Sequence, residues 1–290
     1  MNASCPANLT LLRLTKVFLA GAAAFIASAA FACSLVDLDR FTSAPDTAPS
    51  LENDEDGGRE AGDSPAPEPA PSDGGDSYAA VVLADAPIAY FRMEEEPGAM
   101  LIHDELRRVE GRAQETVEFG TPGIAGRAVS LGNQSGFDLG DVFDFDGKVP
   151  FALEAWVKLK TRSWDQLIFR KRGGSPERGY IVYVEPNRTV HFEAWGASMS
   201  AWTDAPLPDD FAHVVVSVSY ATGKGNATLW VNGQRAPNGG FDNTSDLANT
   251  QVPLLIGHSV DGVIDEVALY DHELTQDRVR AHHQAGLGGR

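Results

Sequence analysis

From Tyr78 onward, apolar and polar residues alternate in short segments along the chain. In residues 151–159, which read FALEAWVKL, every odd-numbered residue is apolar, while Glu154, Trp156 and Lys158 lie between them. Successive side chains of a strand point to opposite faces, so this pattern predicts a strand with one face in a core. Comparable runs predict further strands at 180–185, 190–195, 213–220, 227–231, 254–257 and 263–270.

Turn residues separate these segments. Asn232-Gly233 follows the run 227–231 directly, and Asn-Gly is the strongest short signal for a hairpin turn. Many short strands with such turns are typical of an antiparallel sandwich or barrel. We expect one short helix near the end, over 276–284, with Thr275 as its N-cap and Gly286 ending it.

The first 33 residues have the pattern of an export signal. Arg13 and Lys16 precede an apolar run over 17–32, which is shorter than the roughly 20 residues of a membrane span. The run ends in Ala30-Phe31-Ala32, a small-x-small pattern typical of a cleavage site. We therefore expect an exported protein, in which residues 1–33 are a signal peptide.

Cys33, directly after this cleavage point, resembles the acylated cysteine of bacterial lipoproteins. Ala30 stands where such signals usually carry Leu, so the match is partial, and an ordinary signal peptide with an incidental cysteine is the alternative. Lipidation of Cys33 would anchor the protein in a membrane by burying acyl methylenes. The resemblance implies an outer-membrane or cell-surface lipoprotein; otherwise the protein is periplasmic or secreted.

Residues 34–77 are predicted to be a disordered acidic linker rich in Pro and Gly. They contain twelve acidic residues against two basic ones, in a chain of formal net charge -18. Too few apolar groups are present to offset the entropy of ordering the segment. The acidic charge also argues against nucleic acid as a partner, because phosphates would be repelled. Both cysteines, Cys5 and Cys33, precede the linker, so no disulfide can form in residues 78–290.

Five segments of residues 78–290 resemble, in order, the motifs of the LamG-like jelly-roll family within the concanavalin A-like lectin/glucanase superfamily. They are the opening APIAYFRM at 86–93, FALEAWVK at 151–158, LWVNG at 229–233, IG at 256–257 with GVIDEVALY at 262–270, and ELT at 273–275 with the helix that follows. The resemblance implies one all-β domain, a two-sheet antiparallel jelly-roll sandwich with a short C-terminal helix.

The same resemblance leaves three functions open. The superfamily contains glucanases, but the pattern Glu-x-Asp-x-x-Glu of their catalytic strand is absent from the chain. We therefore favour a non-catalytic module that binds a polysaccharide or a glycoprotein surface, and we expect no catalytic residues. A structural or protein-interaction module of the cell envelope is the first alternative, and a degenerate glycosidase is the second.

One structural calcium ion is a further expectation. Asp265 lies in an apolar strand, where a carboxylate is costly unless it is paired or bound to a metal. The resemblance implies a calcium ligand at this position, and Glu95 and Asp104 could contribute further oxygen atoms. Alternatively, Asp265 accepts main-chain hydrogen bonds or pairs with Arg92 or Arg127.

Strand alternation places several aromatic side chains outside the core between the sheets. His191, Glu193 and Trp195 share one face of their strand, and Trp156 and Trp230 also point outward. Aromatic rings beside polar groups would suit sugar rings and hydroxyls; alternatively, loops cover these rings in a second apolar layer. The predicted ligand-binding residues are Trp195, Trp164, Trp202, Trp156, Glu193 and His191.

Overall fold

The computed structural model describes residues 74–288 except 116, 197–198, 222, 240–246 and 248. The predicted signal, Cys33 and the linker up to residue 73 lie outside the described residues. Within the described part, no helix is long and apolar enough to cross a membrane. The helices are α1 (Gly74–Leu83) and α2 (Gln276–Gly288). The strands are β1 (Ala89–Phe91), β2 (Leu101–His103), β3 (Glu110–Gln114), β4 (Val117–Pro122), β5 (Arg127–Leu131), β6 (Gly136–Asp138), β7 (Phe151–Leu159), β8 (Gln166–Gly173), β9 (Arg178–Val184), β10 (Val190–Trp195), β11 (Met199–Trp202), β12 (Ala212–Ala221), β13 (Lys224–Val231), β14 (Gln234–Arg235), β15 (Asn238–Gly239), β16 (Leu255–Ile256) and β17 (Gly262–Tyr270).

The strands form two antiparallel sheets. Sheet 1 has the order β14-β13-β12-β7-β17-β5-β4, with β1 also paired to β17. Sheet 2 has the order β15-β11-β10-β9-β8-β16-β6-β3-β2. Residues from the inner faces of both sheets, such as Leu153, Val216, Val182 and Phe192, form the main core. The predicted two-sheet jelly-roll sandwich is confirmed.

A second apolar cluster lies on the outer face of sheet 1, beneath both helices. Its members come from the helices, the segments beside them and the sheet, and include Tyr78, Val82, Trp156, Trp230, Leu274 and Val279. Strand β7 is consequently buried on both faces, with only Lys158 exposed. The alternation in this strand therefore separates two cores rather than a core and solvent.

The helices differ from the sequence prediction in two respects. Helix α1, which begins at Gly74, was not predicted, because its short apolar run does not distinguish a helix from a strand. Helix α2 continues past Gly286 instead of ending there. A Cβ atom at residue 286 would lie 2.4 Å from Cζ2 of Trp156, so this glycine permits close contact between helix and sheet.

An irregularity in β17 turns two neighbouring carboxylates into the interior. The pairing of β17 with β7 shifts register between Asp265 and Ala268, and Glu266 has a φ of 49°. A bulge of this kind lets adjacent residues escape strict alternation. Asp265 and Glu266 are both fully buried as a result.

Candidate functional site

Glu154, at the centre of β7, organises the helix-covered face of sheet 1. Its Oε1 accepts a hydrogen bond from the Tyr78 hydroxyl at 3.1 Å and lies 2.7 Å from His213 Nε2. Its Oε2 accepts from the Tyr270 hydroxyl at 2.7 Å. His282 Nδ1 lies 3.0 Å from both carboxylate oxygens. Side chains from α1, α2 and three neighbouring strands thus meet at one buried carboxylate, which fixes both helices on the sheet.

Helix α2 is also tied to the segment after α1. His282 Nε2 lies 2.7 Å from Oδ2 of Asp85, which also accepts from Nε of Arg278 at 2.7 Å. His282 therefore bridges two carboxylates, those of Glu154 and Asp85. Both ring nitrogens can donate when the imidazole is protonated, so this arrangement favours the charged form.

The pKa values of Glu154 and His282 depend on their burial and on the charged groups beside them. Burial alone would raise the pKa of Glu154, but the charge of His282 and hydrogen bonds from His213 and His282 hold that pKa well below its usual range. Burial opposes protonation of His282, yet Glu154 and Asp85 outweigh it and raise the pKa of that imidazole. A charged pair with several hydrogen bonds is the physically consistent state of this buried site.

Trp156 was predicted to bind ligand, and this prediction is wrong. Its side chain is fully buried, its Nε1 donates to the Tyr78 hydroxyl at 2.9 Å, and its ring stacks on His213 at a centroid distance of 4.8 Å. His283 stacks on the same indole at 5.7 Å. The expected alternative, a second covered apolar layer, describes Trp156 and Trp230, although helices rather than loops form the cover.

Four other predicted ligand-binding residues lie together on the outer face of sheet 2. His191, Glu193 and Trp195 alternate with core residues along β10 and are half-buried. Trp202 of β11 lies directly opposite His191. This face also contains Tyr183 of β9, which we did not predict, although its position in an alternating strand could have indicated it.

Contacts along this face are polar and aromatic. The Tyr183 hydroxyl donates to Glu193 Oε1 at 2.9 Å, and its ring stacks on His191 at 5.2 Å. The guanidinium of Arg172 lies 3.9 Å from the ring centroid of Trp195, a cation–π contact. Aromatic surface and hydrogen-bonding groups therefore occur side by side outside the core.

Trp164 lines a separate pocket of about 840 Å³, here named the Trp164 pocket. The side chain of Trp164 is 37% exposed, and its Nε1 donates to the Ser259 carbonyl at 3.1 Å. The pocket-lining residues include three side-chain amides, two carboxylates and an imidazole, from Gln114, Asn133, Gln134, Glu115, Asp165 and His258. Gln114 ends β3 and the others lie in connections between strands that are distant in sequence, so no local pattern brings them together.

Asp165 links the pocket to the outer face of sheet 2. Burial raises the pKa of this carboxyl, and the nearby charges of Glu185 and Glu193 raise it further, while His191 opposes them. The Trp164 pocket therefore lies close enough to the outer face of sheet 2 for their charges to interact. The pocket and this face are two candidate binding areas, each with aromatic and polar groups.

The three residues predicted to bind calcium are engaged separately. Asp265 Oδ2 accepts from the Ile124 amide at 2.7 Å, as the alternative expectation described, and burial raises the pKa of Asp265. Asp104 accepts from the amides of Tyr90, at 2.8 Å, and Arg108, at 2.9 Å. Glu95 Oε1 accepts from the His103 amide at 2.8 Å.

No group of three or more His, Cys, Asp or Glu side chains among the described residues is arranged to hold a metal. Asp265 Oδ1 and Glu266 Oε1 nevertheless lack a hydrogen-bonding partner within the described residues. Glu266 Oε1 lies 4.0 Å from Nε of Arg92, so only Asp265 Oδ1 is without a polar contact of this kind in the described part of the chain, and one such atom is far fewer than calcium prefers.

The sandwich, its covering helices and its aromatic outer face define a lectin-like β-sandwich. A family model described as the concanavalin A-like lectin/glucanases superfamily (Laminin_G_3) matches residues 131–280. The match covers just over half of the 290 residues, and the chain belongs to this family. No curated protein sequence matches the chain.

Several solved structures share the fold at low sequence identity. The ligand-binding domain of botulinum neurotoxin serotype D, in complex with N-acetylneuraminic acid, is 12% identical, with a TM-score of 0.54, over 72% of this chain and 52% of that one. Domain 4 of AbnA, an extracellular arabinanase from Geobacillus stearothermophilus, in complex with arabinotriose, is 18% identical, with a TM-score of 0.50, over 68% of this chain and 97% of that one.

A sialidase from Trypanosoma rangeli, in complex with sialic acid, is 15% identical, with a TM-score of 0.50, over 67% of this chain. The aligned part spans only 32% of the sialidase chain and about half of the neurotoxin domain. The fold thus occurs both in binding domains and as part of a larger enzyme chain.

Proposed function

We propose that the protein is a non-catalytic carbohydrate-binding module whose ligand is a polysaccharide or a glycoprotein surface. The observation that carries this proposal is the Trp164 pocket, where a partly exposed indole is surrounded by side-chain amides and carboxylates. Sugar rings stack on aromatic faces, while amides and carboxylates bind their hydroxyls. Two of the structures with a similar fold were determined with a bound sugar, arabinotriose or N-acetylneuraminic acid.

The outer face of sheet 2 would extend the binding surface beyond one sugar unit. Trp195, Trp202 and the Tyr183–His191 stack offer further aromatic surface, and Glu193 offers a carboxylate. Asp165, which lines the pocket, is close enough to Glu193 on this face for their charges to interact. An oligosaccharide that spans both should therefore bind more tightly than a single sugar, since each additional contact contributes to affinity.

A glycan array followed by calorimetry tests the proposal. The wild-type protein should bind at least one polysaccharide or glycoprotein glycan, and Trp164→Ala should weaken that binding by about tenfold or more. Met100→Ala is the matched control, because Met100 is 66% exposed and does not line the pocket. Absence of binding to every glycan would reject the proposal and favour a structural or protein-interaction module.

Glycoside hydrolysis is a second candidate function, favoured by one observation. Burial and the nearby charges of Glu185 and Glu193 raise the pKa of Asp165, and glycoside hydrolysis uses a pair of carboxyl groups of which one is an acid with a raised pKa. Glu154 is not available for this role, because it is fully buried beneath the helices of sheet 1. Release of chromophore from a panel of nitrophenyl glycosides, abolished by Asp165→Asn, would replace the non-catalytic proposal with an enzymatic one.

The location of the module is also a proposal. We propose export through the N-terminal signal and membrane anchoring through an acylated Cys33, with the acidic segment 34–77 as a spacer. Mass spectrometry of the N-terminal peptide should show an acylated Cys33, and Cys33→Ala should release the protein from membranes. An unmodified Cys33 in membrane-free protein would leave an ordinary secreted or periplasmic product.

Structural calcium remains a proposal centred on Asp265. A bound ion would be held by Asp265, whose buried Oδ1 has no hydrogen-bonding partner among the described residues, and it would lower the raised pKa of that carboxyl. Added calcium should then increase the melting temperature, and chelation should reverse the increase. An identical melting curve with calcium and with chelator would exclude the ion.

A further inference from the structure

A small polar groove lies on the outer face of sheet 1, where α2 begins. It has a volume of about 300 Å³ and shares no lining residue with the Trp164 pocket. We name it the Trp230 groove after the aromatic residue that lines it. The residues used below are Ser219, Asn226, Thr228, Trp230, Arg235 and Glu273.

The floor of the groove is formed by the outward-facing side chains of β12 and β13. Ser219 lies opposite Asn226, and Thr228 lies opposite Ser217. Elsewhere on this sheet face the helices cover apolar side chains such as Val215 and Ala152, together with the buried Glu154 network. In the groove, hydroxyl and amide groups take the place of this covered layer.

Charged side chains of opposite sign border this floor. Arg235 lies directly opposite Trp230 in the pairing of β13 with β14, and it is exposed. Glu273 precedes Leu274, whose amide donates to Ser217 Oγ at 3.0 Å and so fixes this border of the groove against the sheet. The groove thus combines a guanidinium and a carboxylate at its border with the hydroxyl and amide groups of its floor.

Trp230 supplies an independent indication of a ligand. Its side chain is 6% exposed and lines the groove, yet its Nε1–H has no acceptor among the described residues. Trp156, in the same apolar cluster, donates its Nε1–H to Tyr78. Buried indole donors normally have partners, so an unsatisfied donor on a residue that lines a polar groove is a candidate to donate to a bound group once the indole adjusts.

We propose that the Trp230 groove is a second binding site, which takes one neutral sugar unit. Its volume is of the order of that of a single sugar ring. Its side chains can donate hydrogen bonds to neighbouring sugar hydroxyls and accept hydrogen bonds from them. Glu273 would repel an anionic ligand and Arg235 would repel a cationic one, so a neutral polyhydroxyl ligand suits the groove. The site stands independently of the proposed Trp164 pocket, and a chain with both would bind glycans through two separate surfaces.

The indole N–H resonances of the five tryptophans offer a direct test. Trp230→Phe identifies the resonance of Trp230, and D-glucose, D-galactose, D-mannose and N-acetyl-D-glucosamine are then titrated to about 50 mM, because Kd values of about 1–10 mM suit a site of this size. At least one sugar should shift the Trp230 resonance. The double variant Thr228→Val, Arg235→Gln should weaken that binding by about tenfold or more while its melting temperature stays near that of the wild-type protein.

Trp164→Ala separates this site from the proposed function. The Trp230 shift should persist in Trp164→Ala, whereas its loss would assign the binding to the Trp164 pocket and overturn the second site. A Trp230 resonance unmoved by all four sugars would overturn it as well. So would a shift that is equal in the wild-type protein and the double variant, or one produced by glycine and by none of the sugars.

Discussion

The outer faces of the two sheets use the same chemical groups in different surroundings. On sheet 1, Tyr270 donates to the fully buried Glu154, beside His213 and His282. On sheet 2, Tyr183 donates to the half-buried Glu193 and stacks on His191. Two helices cover the first set, and no helix of the described residues contributes to the second.

Burial therefore decides what a Tyr–Glu–His arrangement does here. Beneath the helices, each polar group must find a protein partner, and the network holds the helices in place. On sheet 2, the groups remain partly accessible, and water can replace a missing partner at low cost. The first face is suited to stability and the second to recognition.

Removal of Glu154 should produce the largest effect. Glu154→Ala would leave four donors, from Tyr78, Tyr270, His213 and His282, without their buried acceptor, and we expect a loss of about 3–5 kcal/mol in unfolding free energy. Urea denaturation followed by fluorescence measures this loss. Glu193→Ala, the matched change on sheet 2, should cost less than about 1 kcal/mol. Equal losses for the two variants would contradict the comparison.

Crowding of helix α2 should produce the next largest effect. Gly286→Ala would place a Cβ atom 2.4 Å from Trp156 Cζ2, so the helix must move, at a cost of about 1–3 kcal/mol. Gly288→Ala is the control, because no atom lies within 4 Å of its added Cβ. Thermal melting of both variants distinguishes the predicted clash from a general effect of alanine in this helix. A Gly286→Ala protein as stable as wild type would show that α2 does not pack tightly on Trp156.

The comparison also shows which parts of the fold the sequence can predict. Residues 151–159 and 190–195 were predicted with their observed bounds, since strict alternation ends at clear turn residues. Strands β2 to β6, β8, β11, β14 and β15 were missed, because most of them are short or alternate weakly. Helix α1 was missed because its short apolar run does not distinguish a helix from a strand, and packing against a sheet that is distant in sequence decides its state.

For the candidate sites, strand alternation predicted the face on which each side chain lies, but it did not predict which side chains are buried by other elements. It correctly placed His191, Glu193 and Trp195 on one face of β10 and placed Trp156 on the outer face of β7. It could not indicate that helices bury Trp156. The Glu154–His282 contact joins residues 128 positions apart and follows no local pattern. Trp164, by contrast, lies in the connection between β7 and β8, and its ring is partly exposed.

A smaller, pH-dependent effect should appear on the sheet 1 face. The raised pKa of His282 means that its stabilising contribution is complete below the unfolded-state value of about 6.5 and is lost as pH rises through the higher folded-state pKa. The free energy of unfolding should therefore fall as pH rises through that range. Urea denaturation at closely spaced pH values measures the fall, which His282→Gln should flatten. His191→Gln, on the sheet 2 face, should leave the profile unchanged, and a fall that persists in His282→Gln would assign it to another group.

The smallest predicted effect gives the strictest test, because it removes one hydroxyl from each face. Tyr183→Phe deletes a donor to the half-buried Glu193, whose freed oxygen can turn to water, so we expect a loss of about 0.5 kcal/mol or less. Tyr270→Phe deletes the equivalent donor to buried Glu154 and should cost about 1–3 kcal/mol, because no water replaces it. Each change removes the same atom and the same type of hydrogen bond, so intrinsic bond strength cannot explain a difference in unfolding free energy. Equal losses would mean that water reaches Glu154 beneath the helices, and the division between a structural face and an accessible face would then fail.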